Sequence, residues 1–361
     1  MNVVIFGASG YGGAELIRSI LLHPYFELVG VSANSNVGAS IGGTYSHLSF
    51  SKVSDLIFIT NEELIELIKS GGVDVAFLAM PNGQAIEVVP QITDSLRLVV
   101  DLSADFRLKD PSLYEKYYRF SHTETALLEE AAYGLVELNR GSITSARLIA
   151  SPGCYVTAVT LSLYPLLELG IVSRAGIVSD ALSGISGAGR GANVANLFSE
   201  IDSSAFAYGI GTHRHRPEIA QNIGTDLLFT PQVVPMVRGI LAKSYADFDP
   251  TWLEALGVNP IENSPNSRQI SDSITEAIKD FYSNAPFVDV RPSGSSPSTK
   301  NVLGTNRVEI SYFFDEVTNK VMAISALDNL VKGAAGQAIQ SANVALGLDE
   351  ELGLSKVSLI P

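Results

Sequence analysis

Val3-Val4-Ile5-Phe6-Gly7-Ala8-Ser9-Gly10-Tyr11-Gly12-Gly13 opens the chain as four apolar residues followed by a glycine cluster. The apolar run reads as a buried strand. From about Ala14 to Leu22 a helix is expected, because Leu16, Ile17, Ile20 and Leu21 fall on one face. A glycine loop between strand and helix can be only a turn. With both flanking elements present it is also the arrangement that brings a pyrophosphate close to a helix N-terminus. Gly7, Ser9, Gly10, Tyr11, Gly12 and Gly13 are therefore candidate cofactor contacts. The second strand, Glu27 to Val31, ends in Ser32-Ala33-Asn34-Ser35. An acid at this point would bond the ribose 2′-OH of NAD. None is present, and Ser32, Asn34 and Ser35 offer hydroxyls and an amide to a 2′-phosphate, so NADP is favoured over NAD. No arginine stands near them in sequence to decide it.

Working outward, strand and helix patterns keep alternating. Asn61 to Lys69 and Leu113 to Tyr118 read as helices, and Val73 to Ala79, Leu98 to Leu102 and Leu148 to Ala150 as buried strands. The stretch through Leu135 reads as irregular. The fold class expected is α/β, a doubly wound parallel sheet. Pro81, in the turn Met80-Pro81-Asn82-Gly83, lies at the carboxyl edge where ligands collect in such sheets. Arg107 follows another strand end and is either a surface ion-pair residue or a fork for phosphate or carboxylate. From Gly176 the runs lengthen. Ile177 to Leu182, Val233 to Lys243, Val308 to Phe314 and Val321 to Leu327 read as strands of an open second sheet, with loops over 248–267 and 292–299. Asp328 to Gly336 leads into a helix ending near Leu346.

Cys154, the only cysteine, stands in Ser151-Pro152-Gly153-Cys154-Tyr155-Val156-Thr157-Ala158, between a strand and a helix expected from Ala158 to Leu169. A lone cysteine is often a small buried hydrophobe. At a helix N-terminus, unpaired N–H groups favour its thiolate and can hold an oxyanion formed on attack at a carbonyl. Ser183-Gly184-Ile185-Ser186-Gly187-Ala188-Gly189-Arg190-Gly191 is a glycine and hydroxyl loop built for close approach. Thr212-His213-Arg214-His215-Arg216-Pro217-Glu218 gathers two of the five histidines and two arginines in four positions. A basic edge facing an acidic subunit is one reading. The other is a cationic pocket for an anionic substrate with a histidine acid/base. His-x-His lacks a third ligand at metal-binding spacing.

Composition narrows the class. A net charge of −14 argues against nucleic acid or an anionic membrane as partner. One cysteine forms no internal disulfide, which suits a reducing compartment. No secretory signal pattern or membrane-length apolar run is present, so the cytoplasm is expected. A length of 361 residues suggests two domains.

As a set, GASGYGG, SPGCYVTA, SGAGRGA, GIGTHRHRPEI and DNLVKGAAGQA resemble the N-acetyl-gamma-glutamyl-phosphate reductase family, over essentially the whole chain. Ser151 and Val156 depart from the Asn and Pro that many members carry. The resemblance implies a Rossmann-type NADP-binding domain, residues 1–152 and 329–361, and an α+β catalytic and oligomerisation domain with an open mixed sheet, residues 153–328. Semialdehyde and glyceraldehyde-phosphate dehydrogenases share that form. It implies Cys154 as nucleophile and His215 as acid/base. Arg107, Ser183, Tyr208, His213, Arg214 and Glu218 would contact the substrate, and Pro81, Ser186, Gly187 and Asn329 the cofactor. The implied activity is NADPH-dependent reduction of N-acetyl-gamma-glutamyl phosphate through a cysteine thioester, by a homo-oligomer, tetramer or dimer. Reductases of aspartyl phosphate or of a carrier-linked aminoadipyl phosphate would use the same chemistry. A non-enzymatic NADP-binding sensor would need neither Cys154 nor the histidine run.

Overall fold

The structure is a computed structural model that describes residues 1–255 and 266–360. The chain divides into two compact units. One comprises Met1–Gly153, Ala188–Ala192 and Gly333–Ser355; the other comprises Cys154–Gly187, Asn193–Lys332 and Lys356–Pro361. The first division falls immediately before the cysteine. Asn329 belongs to the second unit, and the last helix to the first.

The first unit is built on strands β1 (Asn2–Phe6), β2 (Glu27–Ser32), β3 (Phe58–Ile59), β4 (Val75–Leu78), β5 (Leu98–Asp101), β6 (Ala132–Tyr133) and β7 (Leu148–Ala150). They form one sheet in the order β3-β2-β1-β4-β5-β7-β6, with every neighbouring pair parallel. Helices cover both faces of such a sheet, so β4 and β5 are buried at every position. That explains their unbroken apolar runs. The strand order reverses between β1 and β4, which makes their carboxyl ends the place for a ligand.

The first helix runs Tyr11–Leu22, starting three residues ahead of its apolar pattern because Tyr11, Gly12 and Gly13 already take helical turns. A Cβ on Gly13 would lie 2.5 Å from the Ala8 Cα, so its absence lets the helix seat on the loop. Asn61–Lys69 begins at a capping box between Thr60 and Glu63 and buries Leu64, Ile65 and Ile68. The segment read as irregular holds the helix Thr125–Glu130 and strand β6. Two residues are too few to leave a periodic signal. The last helix, Gly336–Ala345, buries Ala338, Ile339, Ala342 and Val344 in the core that holds Val3, Ile5, Leu16 and Ile17. Its Gln337 Nε2 and Ser341 Oγ both donate to the Gly134 carbonyl, at 2.7 and 2.9 Å.

The second unit contains β8 (Val178–Ser183), β9 (Phe206–Ala207), β10 (Leu228–Val233), β11 (Ile240–Asp247), β12 (Val288–Val290), β13 (Val308–Asp315) and β14 (Lys320–Leu327). The order is β12-β13-β14-β11-β8-β10-β9, with β8/β10 and β12/β13 parallel and the other pairs antiparallel. Burial alternates strictly along β11, as expected of a sheet covered more fully on one face. Helix Cys154–Glu168 packs on this sheet. Ser325 Oγ and Tyr312 Oη donate to the carbonyls of Ala158 and Ser162, at 2.8 and 3.1 Å.

The run 233–243 is not one strand. Val233 ends β10 and β11 begins at Ile240, because Pro235 lacks a ladder donor and Gly239 turns at φ +117°. Within the expected loop 248–267, Thr251–Ala255 is helical and 256–265 lies outside the described residues. The helix Ser267–Phe281 that follows buries Ile270, Ile274 and Ile278 at a spacing of four.

Candidate active site

Cys154 is the first residue of its helix, four positions earlier than the apolar pattern suggests, and is partly exposed. The helix behind it is buried from Tyr155 to Leu163. A thiol at this position faces the positive end of a fixed helix dipole.

Tyr155 links the cysteine to the histidines. Its ring meets those of His213 and His215 edge to face, with centroids 5.8 and 5.9 Å apart. His215 opens the helix His215–Ile223, which packs against Cys154–Glu168. Tyr208 Oη donates to Tyr155 Oη at 3.4 Å, and Tyr155 Oη donates to the Gln232 carbonyl at 3.1 Å. Burial, above all, raises both phenols above their ordinary value, so they remain protonated donors.

His213 is held as a neutral ring. Its Nδ1 accepts the His215 backbone N–H at 3.1 Å, which places the ring proton on Nε2 and leaves the ring neutral. Burial pushes its pKa down to about 4, with the Arg214 charge adding to the effect. Arg216 faces Asp226 at 3.3 Å. Arg214 is exposed and Glu218 fully buried in the same helix region. Ser183 is buried, its hydroxyl donating to the Gly184 carbonyl at 3.0 Å.

Ser186, Gly187 and Asn329 come together. Asn329 Nδ2 donates to Ser186 Oγ at 3.0 Å, and Asn329 Oδ1 accepts the Gly239 N–H at 2.8 Å. A Cβ on Gly187 would sit 3.8 Å from Asn329 Nδ2. The Asn329 amide thus clamps two loops of the second unit. Gly184 lies where a Cβ would be 2.7 Å from the Val237 carbonyl, so only glycine fits.

In the first unit, a cavity of about 600 Å³ opens at the carboxyl ends of β1 and β4. Gly7, Ser9, Gly10, Asn34, Ser35 and Pro81, all candidate cofactor contacts, line it. Tyr11, Gly12 and Gly13 belong to the helix turn behind it. Ser32 is buried and donates to Asn61 Oδ1 at 2.7 Å. The cavity also takes Asn61, Gln84 and Arg190, which the sequence reading did not place there. Arg190 belongs to the motif Ser186 to Gly191, whose glycines drew the attention.

A nicotinamide dinucleotide fits these residues. Gly10 caps the first helix with no side-chain acceptor, and a Cβ there would touch only the Gly7 carbonyl, in ordinary contact at 3.8 Å. That is a cradle which a side chain would fill and a phosphate can enter. The far wall is held from beneath. The Asp105 carboxylate accepts the N–H groups of Gly83 and Ala85 at 2.7 and 2.8 Å, fixing the loop that carries Pro81 and Gln84. Burial, then the neighbouring Asp105, pushes Asp101 up to about 7, while the Ser103 hydroxyl and Arg107 restrain the rise. Arg107 itself is buried and donates to the Leu102 carbonyl at 2.7 Å.

Comparison with known proteins agrees with both halves. Residues 2–146 match the family described as "Semialdehyde dehydrogenase, NAD binding domain", and residues 154–329 match "Semialdehyde dehydrogenase, dimerisation domain". Among solved structures, aspartate semialdehyde dehydrogenase II of Vibrio cholerae, complexed with ASA, superposes with a TM-score of 0.68 at 14% identity, covering 96% of this chain and 98% of that one. The enzyme of Candida albicans with NADP gives 0.63 at 16%, covering 95% and 97%. These establish the fold. N-acetyl-gamma-glutamyl-phosphate reductases of Desulforudis audaxviator and Symbiobacterium thermophilum are each 41% identical, the first covering 100% of both chains and the second 98% of this chain and 97% of its own. With that identity along its whole length, the chain belongs to the N-acetyl-gamma-glutamyl-phosphate reductase family.

Proposed function

We propose that this protein reduces N-acetyl-gamma-glutamyl phosphate to N-acetyl-L-glutamate 5-semialdehyde and phosphate, using NADPH, in arginine biosynthesis. The observation that carries the reading is Cys154 at the start of a buried helix, joined through the Tyr155 ring to His213 and His215. The first unit binds the dinucleotide, and the second carries the chemistry and the subunit contacts of a homo-oligomer, a dimer or tetramer. NADP is preferred over NAD because no acid follows β2 and Asn34 and Ser35 line the cavity.

Cys154 attacks the acyl-phosphate carbon as the thiolate, and the bond to phosphate oxygen breaks to leave a thioester and free phosphate. Arg107 and Arg214 are the cations assigned to the substrate's anionic groups. His213 contributes a neutral Nε2–H donor rather than charge, and through Nδ1 it holds the backbone of His215. The reduced nicotinamide, when bound, supplies hydride to the thioester carbon. The oxyanion that results lies at the N–H groups that open the cysteine helix. His215 protonates it to the hemithioacetal and takes that proton back as the carbon–sulfur bond breaks, so that the carbonyl of the aldehyde forms and the Cys154 thiolate is expelled.

The test is the reverse reaction. N-acetyl-glutamate semialdehyde and aspartate semialdehyde are compared with phosphate and NADP⁺, following NADPH absorbance. Phosphate-dependent turnover of the first, lost in Cys154→Ala with dinucleotide binding kept, supports the assignment. Turnover of the second alone would move the substrate, and undiminished activity in Cys154→Ala would remove the thioester.

A further inference from the structure

Among the described residues, Arg190 is the one lysine or arginine that lines the dinucleotide cavity. Its Nη1 donates to the Ser9 carbonyl at 3.1 Å and its Nη2 to the Thr44 carbonyl at 3.4 Å. The guanidinium carbon lies 4.9 Å from the centroid of the Tyr45 ring. Tyr45 Oη in turn donates to the carbonyls of Ala8 and Gly10, at 3.2 and 2.9 Å. The guanidinium is thus held against a ring that is itself tied to the glycine loop. Guanidinium carries five N–H groups. The two carbonyl bonds leave others for an anion in the cavity.

Two features place that anion. Arg190 shares its cavity with Asn34 and Ser35, which follow β2, where the adenosine ribose lies in sheets of this kind. Its carbonyl partners are Ser9, one residue before the helix N-cap Gly10, and Thr44, in the segment after β2. At Asn34, Asn61 and Gln84 the cavity adjoins a second one, which is also lined by Glu62, Glu66 and Glu87. A phosphate dianion brought beside three carboxylates is repelled unless a fixed cation meets it. A ribose with a plain 2′-hydroxyl carries no such penalty.

We propose that Arg190 grips the 2′-phosphate of NADP(H) and thereby sets the preference over NAD(H). The proposal rests on reading the cavity as the dinucleotide site. It supplies the arginine that the sequence around β2 lacks, from a position about 155 residues further along the chain.

The experiment is equilibrium titration of the full chain with NADP⁺ and with NAD⁺, for the unsubstituted protein, Arg190→Gln and Arg190→Lys. Arg190→Gln weakens NADP⁺ roughly ten- to hundredfold, the range of a lost charge-assisted phosphate contact. NAD⁺ changes by less than about twofold, which also shows that the cavity has kept its form. Arg190→Lys falls between, since it keeps the charge and loses the fork. Equal weakening of both dinucleotides would make Arg190 a prop for the loop and overturn the proposal. So would unchanged NADP⁺ binding. If the unsubstituted protein binds neither dinucleotide, the reading of the cavity falls first, and the proposal with it.

Discussion

Gly10 and Gly13 stand three residues apart in one loop, and the structure separates what each is for. A Cβ on Gly13 would meet the Cα, O and C of Ala8 at 2.5, 2.5 and 2.6 Å. All three are backbone atoms, so no side chain can rotate away. The first helix would have to lift by about 1 Å, and overpacking of this kind costs up to about 3 kcal/mol. Alanine returns about 1 kcal/mol of helix propensity, leaving a net loss of about 2 kcal/mol for Gly13→Ala. In a unit of this size that lowers the melting temperature by about 4–8 °C. Gly10→Ala meets nothing closer than 3.8 Å and its φ is −87°, so the fold loses under about 1 kcal/mol. Its methyl group instead enters the phosphate cradle, and dinucleotide affinity drops at least about tenfold. Thermal melting and dinucleotide titration of both variants check this. Gly13→Ala as stable as the parent, or Gly10→Ala equally destabilised, would refute the division of roles.

Other outcomes follow from the same geometry. His215→Asn lowers kcat far more than it raises KM for the dinucleotide, whereas a loss confined to KM would make His215 a binding residue. His213 has a folded pKa pushed below its unfolded value of 6.5, to about 4. Over that window the unfolded chain binds the extra proton, so stability falls as pH drops from 6.5 toward 4. His213→Gln flattens this part of a pH series of denaturant midpoints, and an unaltered slope would show that the ring is not buried neutral. Asp105→Ala strands the N–H groups of Gly83 and Ala85 and costs about 2–4 kcal/mol. Because these residues border Gln84 and Pro81, dinucleotide affinity falls too, and calorimetry reads both effects.

The sequence made β1, β4 and β7 legible because strands covered on both faces are written as apolar runs. The cysteine helix was legible because Pro152 and Gly153 punctuate its start. The glycine loop marked the cavity for the same local reason. What escaped has no local signature. Strand β6 is two residues long, and the break before β11 hides inside an apolar stretch that only Pro235 and Gly239 interrupt. Arg190 reaches the cavity from a remote segment. Tyr155 stood in the quoted cysteine stretch, but nothing in its neighbours announces two histidine rings against it. The protonation state of His213 is likewise not written in its neighbours. Residue type gives a titratable ring, and it is burial and a backbone donor on Nδ1 that keep it neutral to a lower pH.

The last helix of the first unit has a consequence for synthesis. Residues 1–153 contain every strand of the parallel sheet, yet Ala338, Ile339 and Ala342 are needed to close its core, and Gly134 receives its donors from Gln337 and Ser341. A ribosome that has released the sheet must still make roughly 190 residues before that helix emerges. At ~5–20 residues per second the wait is about 10–40 s. Through that interval the nascent amino-terminal half carries an uncovered apolar face, so it is the stage at which a chaperone would be most needed. A chain truncated before Gly336 would stay in that condition for good.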